Sequence, residues 1–475
     1  MVHAETASSA VAWAEEEFGH TNLGDKRRTR RLMRMAARAV LCPSGKVSEV
    51  FQVDAERQGA YDFLESPHVG DEALIEAMGL ASARRCAKEP YVFVAVDGSS
   101  LTLTDRNRSK DFGSVGSYHH GARGLKVVCG LAVSAQGVPC GLTSMQWWAR
   151  EQKRRRARDA RNLHEKELWY WERTCAETFE RLAVEAPGCR AWFQLDREAD
   201  AWQLLLPLST CGHRFTVRSR ANRRIISETG ARRYVLDELA RPSARKGSFS
   251  LQISAAPGRT ERIARMSVHA AAVTLSLRDR WTNRIRALTL YAVYVRESSC
   301  VPAGEAPIEW LLYTNHPVQT MEDARLVAYG YSQRWRIEDF FRTWKTGQCN
   351  VESTQLQGTK QVKIWASMLA ATAARTDRLK HLARTQPDLP ATEELAMHEV
   401  EALVLLKRKR KKKNEQIPDG IPTIQQAVQW IAELGGYTGK SSGGPPGSVT
   451  ISRGLERLAP AAEMLRVLRE DGLVR

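Results

Sequence analysis

Near the start of the chain, apolar positions recur with the period of a helix. Residues 22 to 40 open with Asn22 and Asp25 as caps and contain no Pro or Gly after Gly24, which predicts a helix. At 100° per residue, Arg27, Arg31, Arg34 and Arg38 fall within about 60° of one another, and Leu32, Ala36 and Val40 lie opposite. A basic stripe of this kind suits a solvated face as readily as a phosphate-contacting one. The pattern predicts a small helical N-terminal domain ending near residue 75.

The rhythm then shortens. Residues 91 to 104 begin as a β-rich apolar run that meets Asp97 and Gly98, as a buried strand ending at an acid would. Residues 125 to 134 and 138 to 147 read as a hairpin around Gln136-Gly137, and 162 to 185 as a helix. A second apolar run, Ala191 to Leu195, also ends at an acid, Asp196. A helix over 198 to 208 and a strand from His213 to Arg218 complete an alternation that indicates an α/β sheet. From about 247 to 315 the segments alternate polar and apolar residues, which predicts an antiparallel β insertion. Long helices are expected over 320 to 346 and 361 to 383, and shorter ones over 423 to 434 and 455 to 468. Between them, Lys407 to Lys413 is seven consecutive basic residues, read as an exposed joint or a polyanion contact. No internal repeat is visible.

Composition narrows the partner. The 475 residues allow about two to four domains, and 43% hydrophobic with 26% charged residues excludes a wholly disordered or fibrous chain. Lys and Arg number 71 against 54 Asp and Glu, a net charge of +17 that favours a polyanion, with DNA and RNA ahead of an anionic membrane. The nine cysteines form no C-x-x-C pair, so neither a disulfide framework nor a structural zinc site is indicated. Residues 1 to 18 lack the form of a signal peptide, and no apolar run approaches the roughly 18 residues of a membrane span. A soluble, cytoplasmic protein is expected.

Asp97 and Asp196 each follow a β-rich run, and strand-end acids gather in space when their strands are neighbours. A third acid comes from the stretch Tyr331 to Lys345. On one continuous helix, Tyr331, Arg334, Glu338 and Lys345 share a face, while Leu326, Tyr329, Ile337, Phe340 and Trp344 share the packing face. A hydroxyl, two cations and a carboxylate in a row suit a phosphodiester beside a metal. The carboxylate joins the two aspartates around hard Mg²⁺ ions, and the cations neutralise phosphate. An ordinary helix with an Arg334–Glu338 ion pair explains the same spacing.

The stretch also carries a resemblance. Tyr331, Arg334, Glu338 and Lys345, within Arg334-Trp-Arg-Ile-Glu-Asp-Phe, resemble the Tyr-Arg-Glu-Lys signature of the DDE transposases of bacterial cut-and-paste elements, specifically the insertion-sequence-four family that includes the transposase of transposon five. Asp196-Arg-Glu-Ala-Asp200 matches the segment whose first acid that family uses for metal, and Asp97 sits where the first catalytic acid belongs. Leu23-Gly-Asp-Lys-Arg-Arg, Gly59-Ala-Tyr-Asp-Phe-Leu, Gln146-Trp-Trp and Glu309-Trp-Leu-Leu-Tyr-Thr are weaker echoes that extend the likeness along nearly the whole chain. Gly98-Ser99-Ser100 departs from the threonines found after the first acid in a close member.

The resemblance implies a ribonuclease H-like α/β mixed-sheet core over 76–385 with the β insertion at about 247–315. It implies a helical DNA-binding domain at 1–75 and a helical dimerisation domain at 386–475. Asp97, Asp196 and Glu338 would be catalytic and metal-holding, with Mg²⁺ as cofactor and Mn²⁺ able to substitute. Tyr331, Arg334 and Lys345 would hold phosphate, Trp310 a flipped base, and Arg218 DNA at the active site; Arg27, Arg28 and Arg30 would touch the element end. The implied activity is cleavage of element ends and joining to target DNA through a hairpin intermediate. Implied partners are double-stranded DNA with inverted repeats, target DNA and a second copy of the chain on paired ends, in the bacterial cytoplasm at the nucleoid and with no membrane. A repressor that binds without catalysis, or a nuclease on the same core, are the alternatives.

Overall fold

The computed structural model describes residues 8–105, 107–116, 121–150, 167–227, 232–253, 258–278, 284–299, 301–411, 416–439, 444–471 and 473. The basic run Lys153 to Arg161 and residues 412–413 lie outside the described residues.

Five helices open the chain: α1 (Ser9–Phe18), α2 (Lys26–Leu41), α3 (Val47–Val50), α4 (Asp54–Glu65) and α5 (Asp71–Cys86). The Asp25 carboxylate caps α2 by accepting from the Arg27 amide. Leu32, Met35, Ala36, Ala39 and Val40 are buried on one side of α2, while Arg27, Arg30, Arg34 and Arg38 are exposed. The two stripes of the sequence therefore face core and surface, except that Arg31 is half-buried against Gly59.

A mixed sheet follows, with β1 (Tyr91–Thr102), β2 (Gly113–Ser114), β3 (Arg123–Val133), β4 (Pro139–Trp148), α6 (Leu168–Glu185), β5 (Arg190–Leu195), α7 (Trp202–Thr210) and β6 (Arg214–Arg218). Strands β4, β3 and β1 are antiparallel neighbours, and β5 and β6 continue parallel to β1. This is the ribonuclease H-like core. Gly137, at φ 90°, occupies the β3–β4 turn in a conformation that only glycine adopts freely.

The insertion comprises β7 (Arg224–Ile225), β8 (Arg233–Tyr234), α8 (Val235–Leu239), β9 (Arg245–Ile253), β10 (Arg262–Arg278), β11 (Ile285–Glu297) and β12 (Glu309–Thr314). It begins earlier than residue 247, because Ile225 of β7 already pairs with Leu275 of β10. Two-residue strands are too short to leave a period-two pattern. Antiparallel pairing of β12 with β6 fuses the insertion to the core, so the described strands make one twelve-stranded sheet.

The expected helix over 320 to 346 is two helices, α9 (Met321–Ser332) and α10 (Trp335–Lys345). At the joint the amides of Arg334, Arg336 and Ile337 bond carbonyls three residues back rather than four. That tightening rotates α10 relative to α9 and changes which side chains share a face. Tyr331 is buried at 1% exposure and Arg334 at 5%, whereas Tyr329, placed by period on the packing face, is 38% exposed. The reading that Tyr331 and Arg334 are displayed on a surface is corrected.

Helix α11 (Thr359–Thr385) is buried along most of its length, and three indoles hydrogen-bond around it: Trp344 to Ala366 O, Trp147 to Ser367 Oγ, and Trp365 to Gly45 O. Helices α12 (Met397–Lys409), α13 (Ile424–Leu434) and α14 (Ser448–Glu470) pack with its end around their own apolar core. Of the basic run, Arg408 to Lys411 are exposed, but Lys407 lies buried in α12 with Nζ 2.6 Å from Glu433.

Candidate active site

Parallel pairing of β1 with β5 sets the first two acids side by side. Val96 is opposite Leu195, so Asp97, within β1, and Asp196, just past the end of β5, each stand one position beyond the last pair. Each carboxylate turns back onto the next amide, Asp97 Oδ1 accepting from Gly98 N at 2.8 Å and Asp196 Oδ1 from Arg197 N at 2.6 Å. Asp200 serves the scaffold instead. Its buried carboxylate accepts from Arg223 and from the Arg220 amide, which fixes the loop after β6.

Helix α10 supplies the third acid. Arg334 Nη1 is 2.7 Å from Asp97 Oδ2 and 3.4 Å from Glu338 Oε1, so these two oxygens lie no more than about 6.1 Å apart. The i,i+4 contact foreseen on the helix is present, but the shorter bond reaches a strand 237 positions away. Burial, reinforced by the Glu338 and Asp196 carboxylates, lifts the Asp97 carboxyl to about 7 against the opposing pull of Arg334. Asp97 thus feels the charge of both other acids.

The acids do not form a closed cage. Among the described residues no three His, Cys, Asp or Glu side chains are gathered tightly enough to hold a metal ion. A guanidinium stands between Asp97 and Glu338, where a cation is called for. The donor set still fits a hard divalent ion, being all carboxylate oxygen, with one anion made costly by burial. Arg334 Nε is buried without a partner, so this guanidinium is not fully engaged in its present place.

Beside the acids runs an open groove of about 760 Å³, bordered by Arg197, Arg218, Arg220, Trp310 and Trp335. Arg218 sits opposite Leu312 at the β6–β12 seam and donates to the Glu309 carbonyl at 3.1 Å. The Trp310 ring meets Tyr331 edge-on at 5.6 Å, so buried Tyr331 supports the indole from beneath. Trp335 was not foreseen. It is 55% exposed with the Arg334 guanidinium 5.6 Å from its ring, and its position next to Arg334 on the polar side of the helical wheel was the available signal. Lys345 pairs with Glu352 at 3.6 Å, and Glu352 also accepts from the Thr102 amide, which places Lys345 by the C-terminal end of β1.

The basic N-terminal cluster is separate from these residues. Arg27 pairs with Asp25 at 3.0 Å, Arg28 donates to the Leu23 carbonyl, and exposed Arg30 has no hydrogen-bond or ion-pair partner among the described residues. Cations in the first turn oppose the helix dipole, and the N-cap Asp25, paired with Arg27, is the acid at this end that offsets them.

The expected strand ending at Asp97 is corrected, since β1 runs on to Thr102 and only Asp196 follows a strand end. A ribonuclease H-like sheet with these acids on neighbouring strands beside a basic, indole-lined groove points to a nucleic-acid-processing class of protein. Three family models match the chain in series: "Transposase DNA-binding" over residues 10–69, "Transposase DDE domain" over 232–374 and "Transposase Tn5 dimerisation domain" over 371–472. Together they support a DNA transposase of the Tn5-like DDE kind that binds DNA and forms a homodimer. The DDE match implies a divalent metal cofactor. Among the described residues no helix is long and apolar enough to cross a membrane.

Proposed function

We propose that this chain cuts the ends of a mobile element and joins them to target DNA, as a Mg²⁺-dependent member of the insertion-sequence-four family. Asp97, Asp196 and Glu338 are the catalytic acids and metal ligands. The observation that carries the reading is the Val96–Leu195 pairing, which supports convergence of Asp97 and Asp196 although they are far apart in sequence, with Arg334 linking Asp97 to Glu338.

When bound, a divalent ion, Mg²⁺ or Mn²⁺ in its place, supplies activation of the attacking oxygen and charge neutralisation at the leaving one. The chain's own residues do the rest. Arg334 neutralises Asp97 and Glu338 in the absence of substrate, and with DNA bound it turns to the scissile phosphate together with Lys345. Arg218 borders the strand in the groove. Trp310, braced by Tyr331, stacks a flipped base, an interaction worth about 1 to 3 kcal/mol. By family resemblance, water frees a 3′-hydroxyl, which attacks the opposite strand to form a hairpin. A second water opens the hairpin, and the released 3′-hydroxyl attacks target DNA. Each step is the same in-line displacement, so one site serves them all.

The helical region to residue 75, with Arg27, Arg28 and Arg30, engages the inverted repeats. The helices from 386 to 475 pair two copies on paired ends, around a catalytic core over 76–385. The place of action is the bacterial cytoplasm, at the nucleoid.

The test is Asp97→Ala, Asp196→Ala and Glu338→Ala, each assayed on a duplex carrying the inverted repeat that flanks the reading frame. Strand cleavage falls on the order of 100-fold or more, as for loss of a metal-site residue, while gel-shift affinity is retained. Undiminished cleavage by the variants overturns the assignment. Wild-type binding without a 3′-hydroxyl product in Mg²⁺ or Mn²⁺ points instead to a repressor, and cleavage without joining to a nuclease.

A further inference from the structure

On β10 one face changes character along the strand. Ala271, Val273 and Leu275 pack into the core beneath α7 and α8, whereas Arg265, Ser267 and His269 on the same face are polar. Neighbouring strands continue the change. Ser267 pairs with Ser248 of β9 and Arg296 of β11, and His269 with Arg245 and Tyr294. A bulge sets Arg245 rather than Lys246 opposite His269, and Lys246 turns away to donate to the Gln319 carbonyl at 2.9 Å.

The result is an open cavity of about 380 Å³ lined by Arg245, Ser248, Arg265, Ser267, His269 and Ser298. No carboxylate lines it. The acid on that face, Glu309, lies opposite Arg296 and accepts from the Tyr294 hydroxyl at 2.7 Å. Arg265 Nε bonds Ser248 Oγ at 3.2 Å, and the Arg245 guanidinium has no hydrogen bond or ion pair among the described residues. His269 Nδ1 is shut off from solvent without a partner, which leaves Nε2 as the ring's open nitrogen. Two lightly used guanidiniums among hydroxyls and an imidazole match the charge and donor needs of a phosphate.

This cavity is not part of the Trp310 groove. Trp310 pairs with Val295 and Val295 with Val268, and Val268 alternates with Ser267 and His269, so the two sites lie on opposite faces of the sheet. We propose that the cavity binds a backbone phosphate of a second duplex segment, one that does not lie in the Trp310 groove. The proposal rests on the reading of the chain as a DNA transposase and adds to it a separate contact for DNA.

The test compares Arg245→Ala/Arg265→Ala with a control of equal charge loss, Lys88→Ala/Arg190→Ala, at exposed positions before β1 and at the start of β5. The probe is a 40-base-pair duplex without inverted-repeat sequence, titrated by fluorescence anisotropy in the full-length protein across a salt series. Loss of the cavity cations lowers the slope of log affinity against log salt by about 1 to 2, and the control leaves it near the wild-type value. Arg245→Lys/Arg265→Lys retains the slope. Equal slopes for the cavity variant and the control overturn the proposal, and an unchanged thermal midpoint excludes misfolding as the cause. Nicking of inverted-repeat DNA by the wild type is measured separately. Its absence sinks the transposase reading, whereas the duplex titration decides the cavity.

Discussion

At Asp97, burial and two neighbouring carboxylates oppose a single guanidinium. Arg334 meets both Asp97 and Glu338 through one nitrogen, while its guanidinium also lies 5.6 Å from the Trp335 ring, a contact over an aromatic face that a lysine ammonium would not reproduce in the same way. His316 presents the reverse problem. Both of its ring nitrogens are buried without partners, its ring lies 4.7 Å from Trp192, and burial followed by the Arg214 charge holds its pKa below the ordinary imidazole value. The unfolded chain therefore takes up a proton at this residue near pH 6.5 and below, where the folded chain resists it, and stability falls as pH drops through that range. Urea midpoints should decline more steeply between pH 7.5 and 5.5 in the wild type than in His316→Leu; parallel slopes would show that His316 carries none of the acid sensitivity. Of these residues, Asp97, Asp196 and Glu338 were legible because acids after apolar runs and a spaced signature survive in one dimension. The Arg334–Asp97 bond was not, because it spans 237 positions.

Between elements, the closest approach that matters to the site is α9 against β1. A Cβ added at Gly330 would meet the buried Phe93 ring at 2.5 Å, so Gly330→Ala must push α9 away from the strand that carries Asp97. A loss of about 1 to 3 kcal/mol is expected by denaturant titration, together with slower end cleavage although no acid is touched. Full activity at wild-type stability would show that the contact relaxes freely. Helix α2 offers the opposite trade. Replacing Arg27, Arg28 and Arg30 by alanine removes cations near the helix start that oppose the dipole, two of them in its first turn, and loses an exposed Arg27–Asp25 pair, so the thermal midpoint holds or rises slightly. Binding to inverted-repeat DNA weakens, with a salt slope lower by about 2 to 3. An unchanged slope would place these arginines off the DNA. Periodicity located α2, α11 and most strands, but not the joint at Gln333-Arg334, since no Pro or Gly marks it.

Across the whole molecule, the proposed acids come from β1, the end of β5 and α10, segments that have little local reason to meet. A divalent ion shared by those acids would cross-link three parts of the fold and stabilise it by mass action. At about ten times its dissociation constant, Mg²⁺ or Mn²⁺ should raise the thermal midpoint by about 1 to 3 °C in the wild type and not in Asp97→Asn/Asp196→Asn/Glu338→Gln. An equal rise in both proteins would locate the binding elsewhere. The sequence by itself determined the alternation of helices and strands in outline, the excess of positive charge and which acids to propose, because period, composition and spacing are properties of neighbours along the chain. Tertiary structure alone decided three things: that the insertion fuses with the core in one sheet, that Tyr331 and Arg334 turn inward, and that Arg245 and Arg265 face away from the Trp310 groove. Those outcomes depend on strand pairing and packing between distant segments, whose free energy is shared among many contacts and leaves no periodic trace in any one stretch.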